Sequence, residues 1–242
     1  MLHVHRSERA DALASALAEL LSAPAADPFT AEVVAVPARG IERWLAHRLA
    51  HRLGAGPAGD GVCAGVRFPA PAEVVDAAVA AAVGIDPAED PWRPARAAWP
   101  LLEVVDEAAG EQWCAVLGAH LGAHRADPVR RGRRYATARR LAELFASYAA
   151  HRPGLLRAWL AGDDAAVPED LRWQPELWRR LRARIGGPGP VERVDAACTV
   201  LRTAPAPGLP PRLSLFGPTR LPARHLAVLD ALAVNHDVHL WL

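Results

Sequence analysis

What most constrains the fold of this 242-residue chain is that its β-forming runs lie only near the two ends. MLHVH (1–5) is a short apolar alternation and AEVVAVP (31–37) a β-branched run; RLSLF (212–216) and DVHLWL (237–242) are their counterparts at the other end. After the first run, the pattern turns helical through Leu21, with Ser7 placed to cap that helix. After the second, Ala-Arg-Gly leads into IERWLAHRLAHRLG, where Ile41, Trp44, Leu45, Leu49 and Leu53 recur at helical spacing up to Gly54. A further helix is predicted from about Pro222 to Ala233, between the last two strands. Strands alternating with helices imply a parallel, doubly wound α/β sheet.

Between about residues 60 and 189 such runs become rare, and Ala, Leu, Arg and Trp recur every three or four positions. This stretch is predicted to be all-helical, with breaks at GAGPAGDG, GIDPAEDPWRP and GGPGP. The expected organisation is therefore the first part of an α/β domain (1–60), a helical insertion (61–190) and a return to the α/β domain (191–242). The chain stops inside its last apolar strand, as expected of a piece cut from a longer protein.

Composition narrows the chemistry. A net charge of +1 offers no global attraction for nucleic acid, so any DNA surface must be local. All 28 basic residues counted as Lys or Arg are arginine. A P-loop needs a lysine ammonium to reach the β- and γ-phosphates, so a complete Walker A motif is excluded, as are Schiff-base chemistry and lysine-assisted nuclease sites. Cys63, Cys114 and Cys198 are odd in number and far apart, without the spacing of a disulfide framework or a zinc site. No run of eighteen apolar residues occurs, and the first twenty positions carry charges where a signal core would be apolar. The expected location is the cytoplasm, with no membrane contact.

Several blocks, in order, resemble the RecC family, the gamma subunit of exodeoxyribonuclease V in the RecBCD enzyme, at its amino-terminal part. They are LHVHRSERADALASAL, DPFTAEVVAVPARGIERWLAHRLA (27–50), RFPAPAEVV (67–75), LAELFASYAAHRPGLLRAWL (141–160), WQPELWRRL (173–181) and RLSLFGPTRLPARHLAVLDALAVNHDVHLWL (212–242). The resemblance implies the architecture of a superfamily 1 helicase: a RecA-like domain (1A-like) with an all-helical insertion (1B-like) and a degenerate ATP site. It implies a chain that is itself non-catalytic within an ATP-dependent helicase-nuclease, with RecB-like and RecD-like partner subunits. The complex would act in double-strand-break repair by homologous recombination. This chain would bind the duplex fork and guide the single-stranded 3′ tail, helping to recognise a regulatory, Chi-like sequence. The residues agree on the missing motor. Pro37-Ala38-Arg39-Gly40 offers one glycine and no lysine where a motor would cradle phosphates, and Leu213-Ser214-Leu215-Phe216-Gly217-Pro218 supplies no metal-holding acid. No ATP or metal cofactor is expected. The alternatives kept open are a purely structural scaffold contacting other subunits and a small-molecule enzyme using the strand-end crevice.

Candidate DNA-binding residues follow from these blocks. Arg39, beside Pro37 at a strand end before a helix, can hold a backbone phosphate, or is an ordinary exposed loop arginine. Glu143, Leu144 and Arg152 fall where the family lines the tunnel that reads its DNA signal; Glu143 and Arg152 have the chemistry to bond base edges, while Leu144 also suits a helix core. Ala146 stands where an aspartate is expected, Pro37 and Ala38 where a glutamine and a serine are, and Asp76 where a tryptophan is, so a different recognition sequence, or none, is implied. Arg125, Arg130, Arg131, Arg133, Arg134, Arg139 and Arg140 form a dense cluster suited to phosphates, to solvent or to an acidic partner. Trp44, Trp159, Trp173 and Trp178 can stack bases or fill a core. His236, Asp237 and His239 do not make a metal site, because residues 237 and 239 share one strand face while 236 points away.

Overall fold

A computed structural model describes residues 1–23, 27, 29–54, 61–122 and 133–242. Its strands are β1 (Leu2–His5), β2 (Glu32–Ala35), β3 (Val66–Arg67), β4 (Arg212–Phe216) and β5 (Asp237–Trp241). Its α-helices are α1 (Ala10–Ser22), α2 (Arg39–Ala50), α3 (Pro71–Val83), α4 (Pro94–Ala108), α5 (Ala115–Leu121), α6 (Arg133–His151), α7 (Pro153–Leu160), α8 (Trp173–Ile185), α9 (Pro190–Thr203) and α10 (Ala223–Leu232). The described residues divide into two compact units, 1–84 with 196–242 and 85–195.

The first unit is built on one parallel five-stranded sheet of order β1-β5-β4-β2-β3. Parallel strands need both faces covered, which explains why all but the first residue of β2, β4 and β5 are buried, whichever face they point to. On one face Val34, Val36, Phe216 and Trp241 pack with Leu13 and Leu17 of α1 and Leu45 and Leu49 of α2. Each such side chain contributes about 1.5–3 kcal/mol by leaving water. On the other face Val33, Leu213, Leu215, Val238 and Leu240 are equally buried. Helices α3 and α10 lie against each other, joined by an Arg224–Asp76 ion pair, and Cys198 of α9 donates its thiol hydrogen to the Ala227 carbonyl at 3.6 Å. These helices are left to cover the second face.

The second unit is helical. Phe145 of α6 meets Trp178 edge-on at 5.3 Å and Trp159 at 6.5 Å, and Trp92 tilts against Trp178 at 4.9 Å. These rings carry much of the core, in arrangements favoured by the aromatic quadrupole. Along α8 successive arginines each take acids from other parts of the unit: Arg179 from Asp164 at 3.0 Å, Arg180 from Glu111 at 2.7 Å, Arg182 from Glu192 at 2.6 Å and Arg184 from Glu103 at 2.8 Å. Helix α8 ends at Gly186, whose φ of +75° lets its N–H donate to the Arg182 carbonyl at 3.1 Å.

Two details differ from expectation. Ser7 does not cap α1: the cap position is Arg9, without a side-chain cap bond, and the Ser7 hydroxyl accepts from the Arg9 N–H at 3.1 Å. A hydroxyl competes for the nearest free N–H, and here the turn brings that group two residues on. The stretch after residue 60 is also not wholly helical, since Val66–Arg67 pairs with Glu32–Val33 as an edge strand. Two residues are too few to show a period of two in sequence.

Candidate nucleic-acid interface

In open α/β sheets ligands bind outside the carboxyl ends of the strands, where neighbouring strands send the chain to opposite faces. Here that point lies between β2 and β4, which are paired through Val33↔Leu213 to Ala35↔Leu215. The chain leaves β2 for α2 on one face, and leaves β4 for α10 on the other. Two turns therefore flank one crevice: Val36-Pro37-Ala38 entering α2, and Gly217 to Pro222 entering α10.

Pro37, in the first turn, and Arg39, the first residue of α2, are exposed. Ala38 is extended (φ −155°), and its carbonyl accepts from the N–H groups of Ile41 and Glu42 at 3.0 and 3.1 Å, so the helix begins directly beneath Arg39. Arg220 is exposed in the second turn. Neither guanidinium has a partner among the described residues. Arg220 escaped the sequence reading, although the GPTR that follows the RLSLF strand was its signal.

Backbone hydrogen bonds tie this rim together. Gly217 N–H donates to Trp241 O at 2.9 Å, Val36 N–H to Pro69 O at 2.9 Å, Leu242 N–H to His5 O at 2.8 Å and Ser7 N–H to Leu242 O at 3.1 Å. Gly217 itself adopts φ +65°, a conformation that strains residues bearing a Cβ.

A second group on the sheet is a ladder of rings. His3 stacks on His239 at 4.5 Å, His5 on Trp241 at 3.8 Å, and His5 Nε2 lies 3.0 Å from His239 Nδ1. Burial, followed by the neighbouring His3 and His5, pulls the His239 pKa down to about 4. Burial and then His3 lower that of His5. His236 is not part of the ladder: its Nε2 accepts from Ala206 N–H at 2.9 Å and its Nδ1 donates to Pro210 O at 2.9 Å, which fixes one neutral tautomer.

The remaining candidates lie in the helical unit. Arg133, Arg134, Glu143 and Leu144 are all on α6, and Arg152 follows its last residue as the N-cap position of α7. Arg133 and Arg152 present side chains without partners among the described residues, while the Arg152 backbone N–H donates to Tyr148 O at 2.8 Å. Arg134 is engaged by Asp106 at 2.8 Å. Glu143 is engaged by Arg139 at 3.3 Å and Arg140 at 3.5 Å, and Leu144 packs partly into the aromatic core. Arg125, Arg130 and Arg131 lie outside the described residues. Trp159 and Trp178, at 2% and 1% exposure, are core residues and cannot stack bases. Trp173 packs against the same core and Trp44 against the sheet core, where Arg48 sits over its ring at 5.8 Å.

The fold and rim define a class: a parallel α/β domain with a separate helical unit, whose strand-end crevice displays arginine and no lysine. The sequence matches the RecC, N-terminal domain family over residues 2–242, and the chain belongs to that family. It is 52% identical over 247 residues to the RecBCD enzyme subunit RecC of Mycobacterium tuberculosis, covering all of this chain and 22% of that protein. Identity to the corresponding subunit of Mycolicibacterium smegmatis is 48% over 244 residues, covering all of this chain and 21% of that one. With the Escherichia coli subunit it is 25% over 250 residues, covering 99% and 21%. The chain thus spans about a fifth of the length of these relatives. Among the described residues no helix is long and apolar enough to cross a membrane.

Proposed function

We propose that this chain is the non-catalytic amino-terminal region of a cytoplasmic RecC-type subunit, working with RecB-like and RecD-like subunits in a helicase-nuclease that repairs double-strand breaks. Its task is to hold DNA and guide the single-stranded 3′ tail from the duplex fork, contributing to recognition of a Chi-like sequence. In this reading the sheet unit is a RecA-like, superfamily 1 domain with a helical insertion, and it binds neither ATP nor a metal.

The observation that carries this proposal is the rim. Four turns leave the carboxyl ends of β1 to β4, and none has a lysine; Gly217 is the one glycine in them. Such turns cannot wrap a triphosphate, but Arg39 and Arg220, without partners among the described residues, flank the crevice and are suited to backbone phosphates. On the helical unit Arg133 and Arg152 likewise have no side-chain partner among the described residues, whereas Arg134 reaches DNA only by giving up Asp106.

The test is single-strand binding by the full-length chain in its complex, titrated with salt, for Arg39→Ala, Arg220→Ala and Arg152→Ala. Each lost phosphate contact is expected to weaken binding to all sequences alike and to lower the salt slope by about 1. A base-reading role for Arg152 would instead change the response to the regulatory sequence. If all three variants match the parent in affinity, slope and signal response, the assignment fails.

A further inference from the structure

The chain has eight tryptophans, and among the described residues seven are buried or half-buried while Trp99 is 59% exposed. It does not stand alone. Tyr135 of α6, itself 39% exposed, lies against Trp99 of α4 with ring centroids 4.9 Å apart and planes 39° from parallel. Both rings have a firm seat, because α4 and α6 pack together and bury Ala98, Leu101, Ala138 and Leu141, from the turns beside the rings, in the core of the helical unit. An aromatic pair held in water on two packed helices needs little further ordering to accept another flat ring. Trp159 and Trp178, which the sequence offered for stacking, are core residues; the exposed position belongs to Trp99.

The charge beside the pair says what that ring belongs to. Arg133, Arg134, Arg139 and Arg140 of α6 share two acids among the described residues: Asp106 meets Arg134 at 2.8 Å, and Glu143 meets Arg139 at 3.3 Å and Arg140 at 3.5 Å. Arg139 lies one helical turn beyond Tyr135, on the same side of α6. Along α4 the acid one turn beyond Trp99 is Glu103, which Arg184 engages at 2.8 Å. Two rings beside a surplus of arginine suit a strand that offers bases to the rings and phosphates to the guanidiniums. We infer that Trp99 and Tyr135 form a stacking platform for the unpaired bases of single-stranded DNA, accepting any base by its flat face, with the α6 arginines holding the neighbouring phosphates. This rests on the single-strand reading above and adds to it a contact with bases that carries no charge.

The test uses the full-length chain in its complex and two probes of equal length, oligothymidylate and an abasic strand with the same phosphates. Trp99→Ala should weaken oligothymidylate binding about 5-fold or more, while leaving the salt slope and the affinity for the abasic strand unchanged. Tyr135→Ala should act in the same direction, and Trp99→Phe should restore most of the loss. Because both side chains are exposed, the thermal midpoint should move little in any of these variants. Equal affinity of the parent and Trp99→Ala for oligothymidylate would overturn the inference, and arginine variants that still lowered the salt slope would leave the wider reading standing. Equal weakening on both probes, or failure of the subunits to assemble, would also overturn it and assign the pair to packing or to a protein contact. A complex that bound neither probe would sink both readings together.

Discussion

The ring ladder makes the sheet unit sensitive to mild acid. In the unfolded chain His239 takes a proton near its ordinary pKa of 6.5, whereas in the fold it does so only near about 4. Folding therefore disfavours the charged form, and the stability at stake is complete above pH 6.5 and is lost as the pH falls toward about 4. Between about pH 7.5 and pH 5 the linkage relation gives a loss of about 2 kcal/mol from this one residue, with His5 adding in the same direction. In a chain of this size that is a fall of about 4–8 °C in melting midpoint. The pH range is chosen to stay above the titration of Glu111 and Glu192, whose carboxylates are held below their ordinary range chiefly by Arg180 and Arg182 respectively. The assay is urea unfolding of the 242-residue chain at the two pH values, beside His239→Gln, which stays neutral throughout. The variant is expected to lose about 2 kcal/mol less than the parent over the interval. Equal losses would refute the reasoning and assign the acid response to other groups.

Two further outcomes follow from the packing. Arg180 bonds Glu111 and Glu176 and lies 4.7 Å from the Trp113 ring, but more than a third of its side chain is exposed, so Arg180→Gln should cost only about 1 kcal/mol, read as a small fall in the denaturation midpoint of the helical unit. Gly217→Ala should cost about 1–2 kcal/mol through its positive φ alone, because the new Cβ would meet Ile41 Cδ1 at an unstrained 3.8 Å; calorimetry showing no change would mean that the turn relaxes.

The strands that could be read from sequence were those whose burial leaves a local trace. RLSLF and the DVHLW segment place large apolar side chains (Leu, Phe, Val, Trp) at most positions between turn residues, and both emerge as buried strands of the sheet. The ladder left no such trace: His3 and His5 look like ordinary alternation, and only the β1–β5 pairing, across more than 230 positions, brings them to His239. Arginine-rich sequence is similarly ambiguous until the acids are placed. Arg133 and Arg134 are neighbours in the chain, yet an aspartate 28 positions away occupies one and leaves the other to solvent. The crevice itself appears only with the strand order, because β2 and β4 are neighbours in space while some 180 residues separate them in sequence. Arg220 gains interest for that reason alone.

The hydrogen bonds joining Gly217 to Trp241 and His5 to Leu242 make one shelf of the loops on one side of the crevice, and that joining Val36 to Pro69 makes another on the opposite side. Residues displayed on a shelf do not shift independently. A substitution that displaces one segment will tilt its neighbours, so paired mutations within one shelf should show energetic coupling even where their side chains never touch, and single-residue scans taken alone will misjudge how that shelf is shared.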